Sequence, residues 1–527
     1  MPSRATRGLR LLSNYVKPTL PRISVRPFTI SLSREMEKGA SQSIFADCDP
    51  EILYTYSAQR WLWNEKAQLA RRYVRFNLDA LIKIAEHAAE SDAICTNITK
   101  LQEGDFNKVF LATMKDGKEV VVKIPNPNAG RKHYTTVSEV ATMEYVREKL
   151  HVSVPKVLGY CSRAQESSLG AEFIVMEKAP GVELARVWDR LKGREKVAIV
   201  KQVAAITGKL ANARFPAHSA LYNRADVAAL ESIPVNEDYA IGPTVGRAWF
   251  DDRRGEFNTS PRDTQQGIFN GPNWYHPTKE SKLSVLNDFL KIPPYIIPKP
   301  NPNPKPKTRV TEISSGTLWH PDIHTHNIFV DESLPSQITS IFDWQAAPIS
   351  PLFLSAHHPS LLEFDGPQLE RFTKPKSVKQ LFLSQFLWLT YEIEVKRQVS
   401  HLHAFRYRET LPGQILGLIG SIFDDGEPYV QSLLSDLVRA ENWKALAPNE
   451  DAVCPLQYSE QELADQRTQL EKWSKDGWNS AVPPSDYDGV VRRLAAAKER
   501  FLGREAKNEL DRKAWLAVWP FHDTPEE

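Results

Sequence analysis

The fourteen residues LWHPDIHTHNIFVD, from Leu318 to Asp331, bring together side chains that bind metals or accept protons. The stretch holds three histidines, two aspartates and one asparagine, and it ends in a short apolar run. Three interpretations follow from these residue types: a transition-metal site, a polar turn before a buried strand, or the catalytic loop of a phosphoryl-transfer enzyme.

The metal interpretation depends on the alternation of four residues: His320, Asp322, His324 and His326. On a strand, alternate side chains share a face, and imidazole and carboxylate groups suit transition metals. Pro321 interrupts a regular strand, however, and Asn327 has no evident place in such a site. The structural alternative is a polar turn whose histidines are satisfied by backbone groups, and it explains the stretch when this is taken alone.

The third interpretation uses residues on both sides of the stretch. Asp322 and Asn327 have the spacing of the aspartate and asparagine in a kinase catalytic loop. A second apolar run, ITSIF at 338–342, ends in Asp343. If the two apolar runs pair as a hairpin, Asn327 and Asp343 meet as two oxygen ligands for Mg²⁺. Asp322 would then lie near an acceptor hydroxyl.

Phosphoryl transfer also needs a cation on the transferred phosphates. Lys123 follows three valines in EVVVKIP, and the preceding Asp116-Gly117 pair is a strong hairpin signal. The helical pattern that follows provides Glu139 as a partner for Lys123, with Glu144 as a competitor. Taken singly, the lysine also fits an exposed strand end, and Glu139 fits a solvated helix face.

The surrounding pattern predicts the elements that would position these residues. Two β-rich runs, KVFLATM and EVVVKI, predict a hairpin, which is followed by a helical pattern at 135–150 and by the strand-like runs VPKVLGYC and FIVMEK. Residues 56–89, 184–230 and most of the chain after 377 have helical patterns. The interval 251–310 is irregular, and its proline-rich end at 292–307 favours polyproline II.

Several motifs together resemble the aminoglycoside phosphotransferase family of the protein-kinase-like fold. They are EGDFNKVFLA, VVVKIP, SEVATMEYV, VPKVLGY, IVMEKAPGVEL, LWHPDIHTHNIFVD and SIFDWQAAPISPLF. YSAQRWLWNE and IGPTVGRAWF are similar to its mitochondrial branch, the altered inheritance of mitochondria protein 9 family. The resemblance implies an α+β fold with two lobes. The N-lobe would be a small antiparallel sheet, the C-lobe mainly helical, and extra helices would flank both.

On this basis we expect five regions along the chain. They are a disordered mitochondrial transit peptide (1–38), an N-terminal helical extension (39–92), the N-lobe (93–180), the C-lobe with the irregular insertion 251–310 (181–460), and a C-terminal helical extension (461–527). Seven basic residues precede the first acidic residue, Glu35, which is the composition of a mitochondrial presequence.

The resemblance also implies roles for particular residues. Asp322 would be the catalytic aspartate, Asn327 and Asp343 the Mg²⁺ ligands, Lys123 the phosphate-binding lysine, and Glu139 its partner.

For the nucleotide, the resemblance implies a loop over the phosphates that contains Gly104 and Asn107. Glu177 and Ala179 would form part of the hinge, with backbone groups for adenine. The loop GDFNKV departs from the kinase pattern because it has one glycine, whereas G-x-G-x-x-G has three. His320 is expected to pack and form hydrogen bonds within the catalytic loop.

The implied activity is transfer of the γ-phosphoryl group of ATP, with Mg²⁺, to a hydroxyl of a small-molecule acceptor in mitochondria. The alternative is a catalytically silent kinase-like binding or scaffold protein that supports mitochondrial maintenance, which the single glycine and the insertion leave open. The 67 basic and 65 acidic residues nearly balance, so charge does not favour nucleic acid as a partner. No apolar run approaches the roughly 18–20 residues of a membrane span, and the four cysteines lack metal-ligand spacing.

Overall fold

The computed structural model describes most of the chain between residues 49 and 506. The described residues are 28–31, 49–61, 65–90, 94–101, 103–247, 250, 278–298, 314–362, 375–399, 407–408, 410–424, 426–447, 449, 452–474, 481–482, 484–506, 508–509, 512–513 and 516. Among the described helices, none is long and apolar enough to cross a membrane.

The amino-terminal half of the fold is a sheet with helices on both faces. Its elements are β1 (Phe28–Ser31), α1 (Glu51–Tyr54), β2 (Arg60–Trp61), α2 (Glu65–Ala70), α3 (Leu78–Ala88), β3 (Cys95–Lys100), β4 (Asn107–Met114), β5 (Glu119–Pro125), α4 (Tyr134–Glu148), β6 (Val157–Cys161) and β7 (Phe173–Glu177). Six strands pair antiparallel in the order β1-β3-β4-β5-β7-β6. This sheet with α4 is the N-lobe.

The alternating direction of side chains along β5 explains why both faces of the sheet are covered by helices. Val122 packs on one side with Leu81 and Ile82 of α3. Val121 packs on the other side with Val140 of α4. Successive strand residues point to opposite faces, so a run of valines requires a helix on each side.

The predicted hairpin between β4 and β5 is confirmed by their pairing, with Phe110 opposite Val122. Gly117 in the turn has φ +86°, a conformation that glycine adopts without steric cost. The order hairpin, helix, strand, strand also agrees with the predicted order of elements.

Phe28–Ser31 differs from the sequence-based expectation. This segment was placed in a disordered presequence, but it forms β1 and pairs with β3, Ile30 lying opposite Ile98. The edge of β3 exposes unpaired backbone groups, and a short β-rich segment such as FTIS can satisfy them. The rest of the predicted presequence lies outside the described residues.

The C-lobe and the flanking helices follow β7. Their elements are β8 (Val182–Glu183), α5 (Leu184–Val187), α6 (Gly193–Asn212), β9 (Arg214–Phe215), β10 (Ala220–Asn223), β11 (Ile233–Pro234), β12 (Tyr239–Gly242), α7 (Lys279–Leu290), α8 (Pro293–Ile296), β13 (Gly316–Leu318), β14 (Ile328–Val330), β15 (Ile338–Ile341), β16 (Ile349–Pro351), α9 (Leu352–Ser355), α10 (Pro375–Gln398), α11 (Leu411–Leu418), α12 (Glu427–Leu437), α13 (Ala440–Lys444), α14 (Glu460–Ser474), β17 (Ala481–Val482) and α15 (Pro484–Glu505).

Helices α6 and α10 form the centre of the C-lobe. The buried Tyr391 hydroxyl of α10 donates to Thr207 Oγ1 of α6 at 3.1 Å, within a core that also holds Val203 and Val395. The sheet β15-β14-β8 joins this core to the N-lobe through the hinge. The chain therefore has the predicted α+β fold with two lobes, an antiparallel N-lobe sheet, a mainly helical C-lobe, and additional helices at both ends.

The predicted irregular insertion 251–310 is in part helical. Residues 251–277 and 299–310 lie outside the described residues, but α7 and α8 lie between them. The Thr278 hydroxyl caps α7 by accepting from the Ser281 N–H at 3.0 Å. Pro293 is at the first position of α8, where its missing N–H costs no hydrogen bond. The polyproline II prediction is therefore wrong for Pro293–Ile296.

Candidate active site

Strand β5 and helix α4 place a buried ion pair at the centre of the N-lobe. Lys123 Nζ donates to Glu139 Oε1 at 2.6 Å, and both side chains are buried. Glu144, the predicted competitor, instead accepts from Asn223 Nδ2 at 2.9 Å. Burial lowers the pKa of Lys123, but the carboxylates of Glu139 and Asp343 outweigh burial and hold the pKa above its usual value. The ammonium is therefore charged at neutral pH.

The same ammonium group reaches the C-lobe. Lys123 Nζ lies 3.5 Å from Asp343 Oδ1, whose side chain is 45% exposed. Asp343 follows β15 and has φ +59°, in the left-handed region that aspartate tolerates better than most residues. The carboxylate of Asp343 is therefore turned from the end of its strand toward Lys123 of the other lobe.

The β14–β15 hairpin brings Asn327 and Asp343 to one end of a sheet, as the sequence predicted. Ile328 lies opposite Ile341, and the Phe342 N–H donates to the Asn327 carbonyl at 2.8 Å. Asn327 Nδ2 donates to the Asp322 carbonyl at 3.0 Å. Since the amide nitrogen is directed at the catalytic loop, the side-chain oxygen of Asn327 is the atom that can bind a cation.

His320 is buried and holds the catalytic loop together. Its Nδ1 accepts from the Asp322 N–H at 3.1 Å, and its Nε2–H donates to the Phe342 carbonyl at 2.7 Å. The ring packs edge-on against Trp344, with centroids 4.6 Å apart. Both ring nitrogens are used, so His320 cannot bind a metal.

The four-residue transition-metal interpretation is therefore wrong. His324 Nδ1 is likewise engaged, because it accepts from the His326 N–H at 3.1 Å. Among the described residues, no group of three or more His, Cys, Asp and Glu side chains is arranged to hold a metal ion.

A polar chain that the sequence interpretation missed leads from Asp322 to the segment after the hinge. His324 Nε2 lies 3.4 Å from Asp322 Oδ2, and His326 Nδ1 forms a short contact with Glu183 Oε1. Glu183 is the second residue of β8, and the first, Val182, pairs with Val330 of β14 in the β14–β15 hairpin. The acidic residue in APGVEL, directly after the hinge, was the available signal.

Gly104 lies in the loop between β3 and β4, and Asn107 is the first residue of β4. Asn107 does not point freely into the cleft, because its Nδ2 donates to Gln345 Oε1 at 2.8 Å. Gln345 in turn donates through Nε2 to the Ala129 carbonyl at 3.0 Å. Gln345, two residues after Asp343, is a second missed residue, and it links the segment that contains Asp343 to the start of β4.

The hinge is packed closely on the β14–β15 hairpin. Thr339 Oγ1 of β15 donates to the Pro180 carbonyl at 2.7 Å. Gly181 has φ +88°, and a Cβ atom there would overlap the Val330 carbonyl. The Glu177 N–H already donates to the Lys156 carbonyl at 3.0 Å, so it is not a free donor for adenine. The Glu177 carbonyl and the backbone of Ala179 are the remaining hinge groups.

The residues at the cleft fit a hard divalent cation. Asn327 offers an amide oxygen and Asp343 a carboxylate, and Mg²⁺ binds oxygen ligands from few protein groups together with substrate phosphates. Asp343 is also the partly exposed member of the pair that it forms with Lys123. These two residues would hold the ion, which would neutralise charge on the phosphates.

Comparison with known proteins agrees with this geometry. Residues 97–258 match the model of the Phosphotransferase enzyme family, APH. Over these residues the chain is similar to this family. The matched segment contains Lys123 and Glu139 and ends before the catalytic loop, so the assignment of Asp322 depends on the geometry described above.

Named relatives extend the similarity along the chain. A subtelomeric hrmA-associated cluster protein of Aspergillus fumigatus is 28% identical over 451 residues, which cover 72% of this chain and 86% of the relative. Altered inheritance of mitochondria protein 9 of Kluyveromyces lactis is 23% identical and covers 92% of this chain and 97% of its own. The predicted family and its mitochondrial branch are thereby confirmed, and so is the mitochondrial location.

Among solved structures, the streptomycin–ATP ternary complex of APH(2")-IIa is similar. It has 15% sequence identity and a TM-score of 0.33, and the match covers 73% of this chain and 98% of that chain. The fold assignment follows from the strand order and the lobes of this chain itself.

Proposed function

We propose that this protein is a mitochondrial kinase that transfers the γ-phosphoryl group of ATP to a hydroxyl of a small-molecule acceptor. One observation carries the proposal. The charged Lys123 of the N-lobe bridges Glu139 at 2.6 Å and Asp343 of the C-lobe at 3.5 Å. Phosphoryl transfer depends on positioning and charge compensation, and this arrangement places a cation beside the proposed metal ligand.

In the proposed reaction, the acceptor oxygen forms a bond to the γ-phosphorus as the bond to the β–γ bridging oxygen breaks. ADP leaves with the electron pair of that bond. Asp322 accepts the proton of the attacking hydroxyl. His320 holds the backbone of Asp322, and Asn327 holds its carbonyl, so the base is fixed before the acceptor binds.

Bound Mg²⁺ supplies compensation for the negative charge of the phosphates. Lys123 orients the phosphates, and Glu139 fixes the lysine side chain. A buried ammonium without this carboxylate would shift its pKa downward and lose its charge. The Glu139 carboxylate therefore keeps Lys123 charged, so that the lysine can bind an anionic ligand.

The proposal is tested by transfer of labelled phosphate from [γ-³²P]ATP to small molecules extracted from mitochondria. We expect a labelled product that requires Mg²⁺ and is lost with Asp322→Asn. Asp116→Asn is a matched control, because it removes the same charge in the β4–β5 turn, where Asn-Gly is as suitable as Asp-Gly. No Asp322-dependent product across fractions containing sugars, amines and lipids would favour the scaffold alternative.

A further inference from the structure

A segment of the C-lobe crosses to the N-lobe directly after β12. We call residues 243–247 the strap. Its start is fixed to β10, because the Tyr222 hydroxyl donates to the Pro243 carbonyl at 2.5 Å. Val245 is buried in a cluster that includes Val137 of α4. The strap is therefore anchored in the C-lobe and packed against the helix that carries Glu139.

At the end of the strap, Arg247 lies on the last residue of the loop between β3 and β4. Its guanidinium carbon is 3.4 Å from the centroid of the Phe106 ring. Such a short distance is typical of a guanidinium stacked on an aromatic face. Arg247 thus joins the C-lobe to the residue that stands two positions after Gly104.

Gly130 makes room for this approach. It has φ +137°, and a Cβ atom there would lie 2.7 Å from Thr135 Oγ1 and 3.7 Å from Arg247 Cγ. A side chain at this position would crowd Thr135 at the start of α4 and would be in ordinary van der Waals contact with the stem of Arg247. The glycine therefore belongs to the same interlobe contact.

The loop between β3 and β4, which we call the phosphate loop, is held at two adjacent residues where it joins β4. Asn107 donates to Gln345, and Phe106 lies under Arg247. Kinase loops with three glycines bring their backbone close to phosphates, at the cost of a mobile chain. This loop has one glycine, so its backbone cannot be repositioned as freely. Side-chain contacts contribute to its placement together with the backbone bond from the Asn126 N–H to the Phe106 carbonyl at 2.8 Å.

We propose that Arg247 and Phe106 form a positioning pair that sets the phosphate loop for nucleotide binding. The inference rests on the proposed function. The pair takes over from the missing glycines, since a loop already held in its bound position loses less entropy when ATP binds. Arg247 acts through Phe106 and is not assigned a contact to the reacting atoms.

The experiment compares Arg247→Ala, Arg247→Lys, Phe106→Leu and Phe106→Trp in the full chain. Arg224→Ala is the matched control, because it removes an exposed arginine of the C-lobe. Two quantities are measured for each variant: amide hydrogen exchange of residues 101–110 without ligand, and the Kd for Mg·ATP by calorimetry.

We expect Arg247→Ala and Phe106→Leu to raise exchange in residues 103–107 by about tenfold and to weaken Mg·ATP by about five- to tenfold, in line with a stacking contact of this class. Phe106→Trp should keep both wild-type values. Arg247→Lys should resemble the alanine variant, since an ammonium cannot stack as a plane.

Unchanged amide hydrogen exchange in Arg247→Ala would overturn the positioning pair, whatever the Kd for Mg·ATP. Raised exchange with an unchanged Kd would overturn its link to nucleotide binding. If the wild-type protein binds no nucleotide at all, the proposed function fails, and the inference fails with it. The exchange data from the ligand-free protein identify which failure has occurred.

Discussion

Lys123 Nζ of the N-lobe lies 3.5 Å from Asp343 Oδ1 of the C-lobe. These residues are 220 positions apart in sequence. Each residue is positioned by its own element, Lys123 by the run of valines in β5 and Asp343 by the end of the β14–β15 hairpin. Their contact means that the two lobes face each other across one site.

The buried Lys123–Glu139 pair should contribute to function more than to stability. Lys123→Met leaves an unpaired buried carboxylate and should cost about 3–5 kcal/mol of unfolding free energy. The double variant Lys123→Met/Glu139→Leu should recover most of that loss, because apolar side chains replace both charges. Denaturant unfolding measures both variants. A double variant as unstable as the single one would show that the pair itself stabilises the fold.

Asp322→Asn should separate chemistry from binding. The amide cannot accept the hydroxyl proton, so the transfer rate should fall by about 10²- to 10⁴-fold. The backbone contacts to His320 and Asn327 do not involve the replaced group, so Mg·ATP affinity should change by no more than a few-fold. Rate and Kd are measured on the same preparation. Equal losses in transfer rate and in Mg·ATP affinity would indicate that Asp322 has a role in binding.

Glu103→Gln should release the amino-terminal extension from the phosphate loop. The buried Glu103 carboxylate accepts from the Ser57 N–H at 2.8 Å and lies 3.1 Å from Lys100 Nζ and 3.3 Å from Lys108 Nζ. Removing the charge of Glu103 leaves two buried ammonium groups without a counter-charge. This should lower the free energy of unfolding by about 3–5 kcal/mol.

The loss of unfolding free energy in Glu103→Gln should depend on pH, because burial lowers the pKa of Lys108 to about 8 even with Glu103 present. Above that pH the native lysine is neutral and needs no counter-charge. Unfolding curves at pH 7 and pH 9.5 should therefore show a smaller difference between Glu103→Gln and wild type at the higher pH. A constant difference would contradict this account of the cluster.

His357 should make the fold sensitive to acid. Its Nδ1–H donates to the Ser355 carbonyl at 2.7 Å, and burial, with repulsion from Arg408, lowers the pKa of His357 to about 4. An unfolded histidine titrates near pH 6.5. Between these values only the unfolded chain binds the proton, so stability falls as pH drops from about 6.5 toward 4, by up to about 1.4 kcal/mol per pH unit.

His357→Asn tests this directly, because its amide can still donate to Ser355 and does not titrate. The variant should lose less stability between pH 6.5 and pH 4.5 than wild type. His151→Asn, at an exposed histidine, is the control and should follow wild type. If unfolding free energy depends on pH equally in all three proteins, His357 is not the cause of the acid sensitivity.

The catalytic geometry could be predicted because short-range patterns fix it. Alternation in β5 orients Lys123, helical spacing brings Glu139 to the sheet, and hairpin pairing brings Asn327 to Asp343. Each of these relations follows from the period of one element or the register of one pair of strands.

The remaining parts of the site depend on contacts that no period encodes. Glu103 is held by Ser57 from the amino-terminal extension, and Phe106 lies under Arg247, from a segment far along the chain. An aromatic residue in a loop gives no indication of its partner. The strand at Phe28–Ser31 was missed for a similar reason, since its composition matches a presequence and only the edge of β3 makes it a strand.

The central claim is that Asp343 and Lys123 form a metal–nucleotide site, and the most direct measurement is the thermal stability of the protein titrated with ATP, with and without Mg²⁺. A ligand that binds only the native state stabilises it by RT ln(1 + [L]/Kd), about 2.7 kcal/mol at one hundred times Kd. Asp343→Asn is the matched variant, because asparagine tolerates the left-handed backbone and removes only the charge. We predict a shift that requires Mg²⁺ and is lost in Asp343→Asn. No shift at millimolar ATP, or one that is indifferent to Mg²⁺ and to Asp343, would contradict the claim.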